Sequence, residues 1–119
     1  MYLCILNMNV MEELVANPGD MILCVSITKK LKSNERGSLY ETARKYWPVS
    51  ADKIQAITHV AAVDNGKVIA VYHSPQWKPT DNPEWIGRWE FTSLTPDGEP
   101  DSPYLGKYVR MSFPTKYVY

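Results

Sequence analysis

Apolar positions run along this chain in three distinct rhythms. Met21–Thr28 (MILCVSIT) is apolar at nearly every position, as a strand covered on both faces would be. Tyr2–Met8 reads as a shorter first strand, Val10–Val15 as a helical turn, and Asn17-Pro18-Gly19-Asp20 as a turn between them and the long apolar run. Lys29–Gly37 is a polar, basic loop carrying Lys29, Lys30, Lys32 and Arg36. The rhythm then becomes helical. Ser38-Leu-Tyr-Glu41 is a capping box, Leu39, Ala43, Tyr46 and Trp47 share a face, and Pro48 ends the predicted helix. Ser50 opens a second short turn through Lys53.

The third rhythm is a hairpin. Gln55–Val63 and Lys67–Tyr72 flank Asp64-Asn65-Gly66, and Asn-Gly suits the two-residue turn whose residues both need positive φ. That turn sets Val63 opposite Val68, Ala61 opposite Ala70 and His59 opposite Tyr72. The other face pairs Ala62 with Ile69, Val60 with Val71 and Thr58 with His73. His59 and His73 are therefore expected on opposite faces, unable to share a metal. Ser74–Gly87, with Pro75, Pro79 and Pro83, reads as an irregular loop of functional character. Arg88–Thr92 reads as a strand with Trp89 and Phe91 on one face, Tyr104–Phe113 resumes a β pattern, and Tyr117–Tyr119 ends the chain with β-formers. The sum is an α+β class: a small curled, mostly antiparallel, barrel-like sheet of five or six strands with one main helix, in a single domain over residues 1–119.

Composition narrows the function. Thirteen basic and thirteen acidic residues cancel, which argues against a protein that holds a long duplex by many phosphates and against a strongly charged membrane binder. Cys4 and Cys24 sit in apolar runs as small hydrophobes. No signal peptide and no apolar run of membrane-spanning length is visible, so a cytoplasmic protein is expected, in the host cytoplasm if phage-encoded. No nucleophile elbow, phosphate loop or Cys/His ligand set appears, so no catalytic residue, metal or cofactor is assigned. A nucleotide-processing enzyme with His59 or His73 as general base stays open as a third hypothesis.

Binding has more to rest on. Four Trp, eight Tyr and two Phe are a heavy aromatic load for 119 residues. Trp47 closes the helix, Trp77 and Trp85 lie in the Pro-rich loop, and Trp89 follows Arg88. Lys29 and Arg36 flank a helix start at Ser38, where free amides and cations suit a phosphate. The candidate ligand residues are Trp47, Trp77, Arg88, Trp89, Lys29, Arg36 and Ser38. Stacking rings with a few local cations on a neutral protein suit a nucleobase, a nucleotide or a short single strand.

Gly37–Trp47 (GSLYETARKYW), Val63–Tyr72 (VDNGKVIAVY), Ser74–Pro79 (SPQWKP), Gly87–Phe91 (GRWEF) and Tyr104–Val109 (YLGKYV), in that order, resemble a family of small bacterial and phage domains. That family is similar to the PUA-like superfamily, which includes the ASCH and EVE domains. The resemblance covers about Gly37–Val109. It implies a curled barrel with a helix beside a pocket for RNA or modified bases, with Trp47, Trp77, Arg88 and Trp89 in the motif segments. The expectation is non-enzymatic binding of a base or nucleotide, in the setting of a phage protein that sequesters a nucleotide signal of host defence. The alternative is a protein-interaction module, or a phage inhibitor docking on a host protein through exposed aromatics. The aromatic strands are also compatible with a homodimer.

Overall fold

Alternating side chains decide where the core sits. A computed structural model describes residues 12–28 and 38–119; the expected strand at Tyr2–Met8 and the basic loop with Lys29 and Arg36 lie outside these residues. Strand β1 (Ile22–Ser26) has Ile22, Leu23, Cys24 and Val25 fully buried. Leu23 and Val25 enter one apolar layer, Ile22 and Cys24 the layer on the other side of the sheet. An unbroken apolar run is what a central strand with two covered faces needs.

β1 runs parallel to β2 (His59–Asp64) and antiparallel to β6 (Thr115–Val118), and β2 pairs antiparallel with β3 (Lys67–His73). The order is β3-β2-β1-β6. A separate antiparallel pair joins β4 (Gln76–Pro79) to β5 (Trp89–Thr92). Helices α1 (Leu39–Ala43) and α2 (Ala51–Ile54) lie in the β1–β2 crossover, and a 3-10 turn at Pro83–Trp85 connects β4 to β5. The class is α+β with mostly antiparallel pairing. Among the described residues the four-stranded sheet is open, with β3 and β6 at its ends, and no closed barrel forms.

Several expectations hold at their local chemistry and fail where distant segments intervene. The hairpin turn has Asn65 and Gly66 at positive φ, and Val63 faces Val68 as expected. One step further the register shifts by a residue, so Ala62 faces Ala70, Ala61 faces Val71, Val60 faces Tyr72 and His59 faces His73. Ile69 and Ala70 consequently pack toward the same layer, and Val68 and Val71 toward the other. Both faces of this hairpin are apolar, so alternation alone does not discriminate between the two registers.

The main helix is shorter than expected. Ser38 caps α1 by accepting from the Glu41 N–H at 3.2 Å. The helix stops at Ala43, well before Pro48, because the chain beyond it pairs with β5. Arg44 O accepts from the Phe91 N–H, and Trp47 exchanges both backbone hydrogen bonds with Trp89 at 2.9 and 3.0 Å. β4 occupies part of the segment expected to be irregular; prolines suit such an edge position. Tyr104–Phe113 does not form the expected strand. It makes isolated pairings at Tyr108 while the 98–107 segment covers the outer edge of β3 through Glu99, Gly106 and Lys107. Glu12–Val15 is extended instead of helical: the Tyr108 N–H donates to Glu12 O and the Leu14 N–H to Tyr108 O. The Asn17–Asp20 turn is present, with Gly19 at positive φ. Among the described residues no helix is long and apolar enough to cross a membrane.

Candidate functional site

The residues expected to bind a ligand are distributed over separate places. Trp47 is 4% exposed in the core, and its Nε1–H donates to Ala43 O at 2.7 Å. Trp89 is half-buried against the same layer. Trp77 is half-buried against Phe91, ring centroids 5.2 Å apart, and borders an open recess of about 360 Å³ with Ile54, Gln55, Ile57, Pro75 and Gln76. Its Nε1 is buried with no acceptor among the described residues. The Arg88 guanidinium lies 5.3 Å from the Trp85 ring and donates to Tyr46 O at 3.2 Å, while Tyr46 and Trp85 stack at 5.7 Å. The Ser38 hydroxyl is engaged as the α1 cap, and the recess it borders contains Asp97 rather than a cation.

Tyrosines and basic residues line a different recess. The C-terminal strand β6 and the Tyr108–Arg110 segment, with Glu13 and Leu14 beside them, enclose an open groove of about 440 Å³. Tyr108, Tyr117 and Tyr119 border it, the Tyr117 ring packing against the Leu23–Val25 layer on the other face of the sheet; Arg110 and Lys116 are the basic residues of the lining and Glu13 the acidic one. Lys116 Nζ donates to Arg110 O at 3.1 Å, which ties β6 to the Tyr108–Arg110 segment. Burial pushes the Tyr117 phenol above its ordinary pKa, so it stays neutral, and the Lys53 ammonium sits 4.4 Å from its ring centroid. A second open recess of about 320 Å³ shares Tyr108, Val109 and Arg110 with the groove and adds Ser26, Thr28, Asn65, Gly66 and Met111. Sequence reasoning missed this place because its residues come from segments far apart along the chain. The Tyr117-Val-Tyr119 ending beside Lys116 was the local signal available.

A polar cluster forms at the open end of the β2–β3 hairpin. The one-residue register shift brings the His59 and His73 rings to 4.6 Å, which overturns their expected placement on opposite faces. His59 Nδ1 is 2.7 Å from Thr58 Oγ1 and 3.9 Å from Asp20, while His73 Nδ1 is 3.6 Å from Glu99. The Tyr104 hydroxyl donates to Asp20 and accepts from the Asn17 N–H at 3.0 Å. Burial holds His59 below its ordinary pKa, with His73 adding to that effect and Asp20 and Glu99 opposing it. Among the described residues no three His, Cys, Asp or Glu side chains are arranged to hold a metal ion. Burial pushes the Cys24 thiol up to about 12, as for an inert core residue.

Compared with known proteins, the chain matches no family model, no curated protein and no solved structure.

Proposed function

We propose that this protein binds a nucleobase, a nucleotide or a short single strand without chemically altering it, and that the groove between β6 and Tyr108–Arg110 holds the ligand. One observation carries the reading: three tyrosines and two basic residues, Arg110 and Lys116, are among the residues that line a single open groove of about 440 Å³. That volume is within the range of roughly 300–1,000 Å³ usual for ligand sites. A base stacked on an aromatic ring gains about 1–3 kcal/mol, and the stacking tolerates any base. Arg110 and Lys116, both among the lining residues, are the groups we assign to phosphate. Zero net charge keeps long duplexes unfavourable as partners.

The PUA-like resemblance belongs to the same proposal. An α+β chain with mostly antiparallel pairing and helices beside the sheet supports it; the open sheet weighs the other way. A role in sequestering a nucleotide signal would follow if cyclic or oligomeric nucleotides proved the tightest ligands.

Thermal melting with a panel of mono-, cyclic and oligonucleotides tests the reading. A ligand that binds only the native state stabilises it, by about 2.7 kcal/mol at a hundred times its Kd. The joint R110A and K116A variant should lose roughly tenfold or more in affinity. No stabilisation by any member of the panel at millimolar concentration would overturn the proposal. A protein-docking reading is favoured by one other observation: Ile86, 84% exposed, follows Trp85 of the Tyr46–Trp85 stack. A stoichiometric partner lost in W85A and indifferent to nucleotides would establish it instead.

A further inference from the structure

The geometry points to a divalent transition-metal site at the open end of the β2–β3 hairpin, held by His59 and His73 through their Nε2 atoms. The two residues are direct cross-strand partners, so their side chains leave the sheet on one face. Their ring centroids are 4.6 Å apart, with the planes tilted by 36°. Two nitrogens on one ion, each at about 2.0–2.1 Å, stand no more than about 4.2 Å apart. Rings this close meet that limit with small side-chain rotations. Neither histidine is among the residues that line the β6 groove or its adjoining recess, so the inference stands apart from the nucleotide reading.

The surroundings prepare each ring for this use. His59 Nδ1 lies 2.7 Å from Thr58 Oγ1 and 3.9 Å from the Asp20 carboxylate. Thr58 Oγ1 accepts from the Met21 N–H at 3.0 Å, and its own proton has Met21 O at 3.1 Å. The imidazole proton then belongs on Nδ1, which faces a hydroxyl oxygen and a carboxylate, and the lone pair is on Nε2. His73 repeats the arrangement, with its Nδ1 3.6 Å from Glu99 and 3.4 Å from Ser74 Oγ. Metal-bound histidines commonly turn their other ring N–H toward a carboxylate, which fixes ring and tautomer. Among the described residues no hydrogen bond reaches either Nε2. Trp77 Nε1 is the one buried side-chain nitrogen without a partner there, so His59 Nε2 is open to solvent, and the His73 side chain is 53% exposed. The charged groups acting on His59 besides His73 are Asp20 and Glu99, both carboxylates; the Tyr104 hydroxyl donates to Asp20, and its ring stands edge-on to His59 at 5.2 Å. Burial favours neutral His59, the form a metal ligand must take. The described residues arrange no third His, Cys, Asp or Glu ligand, so water fills the other positions of the ion. Two imidazoles select by intrinsic affinity, Cu²⁺ ahead of Ni²⁺ and Zn²⁺, and they do not hold the oxygen-seeking Mg²⁺.

Calorimetric titration of the whole chain with Cu²⁺, Ni²⁺ and Zn²⁺ tests the inference, with Mg²⁺ as the hard-ion control. The expected result is one ion per chain, bound tightest for Cu²⁺ and raising the Tm. Affinity should fall as the pH is lowered from about 7.5 to about 5.5, because the ion competes with protons for both imidazoles. H59Q and H73Q should each weaken binding at least roughly tenfold. Circular dichroism checks that both variants keep the fold. In the unaltered protein, paramagnetic broadening by Cu²⁺ should fall first on the nuclear magnetic resonance signals of His59 and His73, a readout that no folding defect of a variant touches. The inference is overturned if none of the three transition ions binds at about 1 mM, or if Mg²⁺ binds as tightly as they do. It is equally overturned if either folded variant binds as the unaltered protein does, or if the broadening centres on other residues.

Discussion

Trp47 and Tyr119 show how differently two aromatic residues are used in one small chain. The Trp47 indole is enclosed, and its single donor is satisfied by Ala43 O at 2.7 Å. Removing that donor in W47F should cost about 1–3 kcal/mol in a urea melt, because a buried carbonyl loses its partner. The same variant should leave nucleotide affinity unchanged, since Trp47 is remote from the groove lining. Tyr119, 80% exposed, borders the groove, and Y119A should lower affinity with little effect on stability. His59 predicts a pH dependence. Its folded pKa is depressed by burial, so the unfolded chain takes up the proton first as pH falls. The contribution of neutral His59 is therefore complete above the unfolded value of about 6.5 and is lost as pH falls through the lower folded value. Urea midpoints should decline as pH falls below about 7 and through the lowered folded value, and H59Q should flatten the decline. The individual residue types were legible in the sequence; which rings were enclosed and which were presented was not.

Elements end where a distant backbone offers better partners. α1 begins at the predicted cap and stops at Ala43 because Arg44 and Trp47 give their backbone groups to β5. Arg44 also ties the two elements by side chain: Nε donates to Phe91 O at 2.8 Å, and the guanidinium reaches Glu41 and the mostly buried Glu90. R44A should destabilise by about 2–3 kcal/mol, since charge-assisted hydrogen bonds are lost and, among the described residues, Lys78 alone remains to offset Glu90. The β2–β3 turn is governed by Gly66, at φ +82° and close under the Tyr108 ring. G66A should cost about 1–2 kcal/mol through the left-handed backbone alone, with nuclear magnetic resonance shifts of the Tyr108 ring reporting the displaced wall. The turn, the cap and the central strand were all readable because each is set within a few residues. The Ile69 bulge was not, because valine and alanine on both faces leave the register to packing.

For the whole molecule, charge and layering set the terms of binding. With thirteen cations and thirteen anions there is no long-range field to hold a polyanion, so affinity must come from the groove itself. The slope of log K against log salt for a short single strand should stay shallow, about −0.7 for each phosphate that Arg110 or Lys116 neutralises. A much steeper slope would mean that the strand follows some other, more extended track. The sheet separates two apolar layers, and both the groove and its adjoining recess lie where β6, the hairpin turn and the Tyr108–Arg110 segment come together.

The sequence alone determined the two-faced burial of β1, the Asn-Gly turn with the Val63–Val68 pair beside it, the Asn17–Asp20 turn and the Ser38 cap. Each depends on interactions within a short stretch of chain or on a simple alternation of apolar side chains. Only the tertiary structure decided that α1 stops at Ala43, that β4 pairs with β5, that His59 meets His73, and that tyrosines and basic residues gather at β6. Those outcomes depend on which backbone donors and acceptors from remote segments find one another, and on how a one-residue bulge fills space between two apolar layers. No local pattern contains that information, because the competing local arrangements are nearly equal in energy until the rest of the chain is in place.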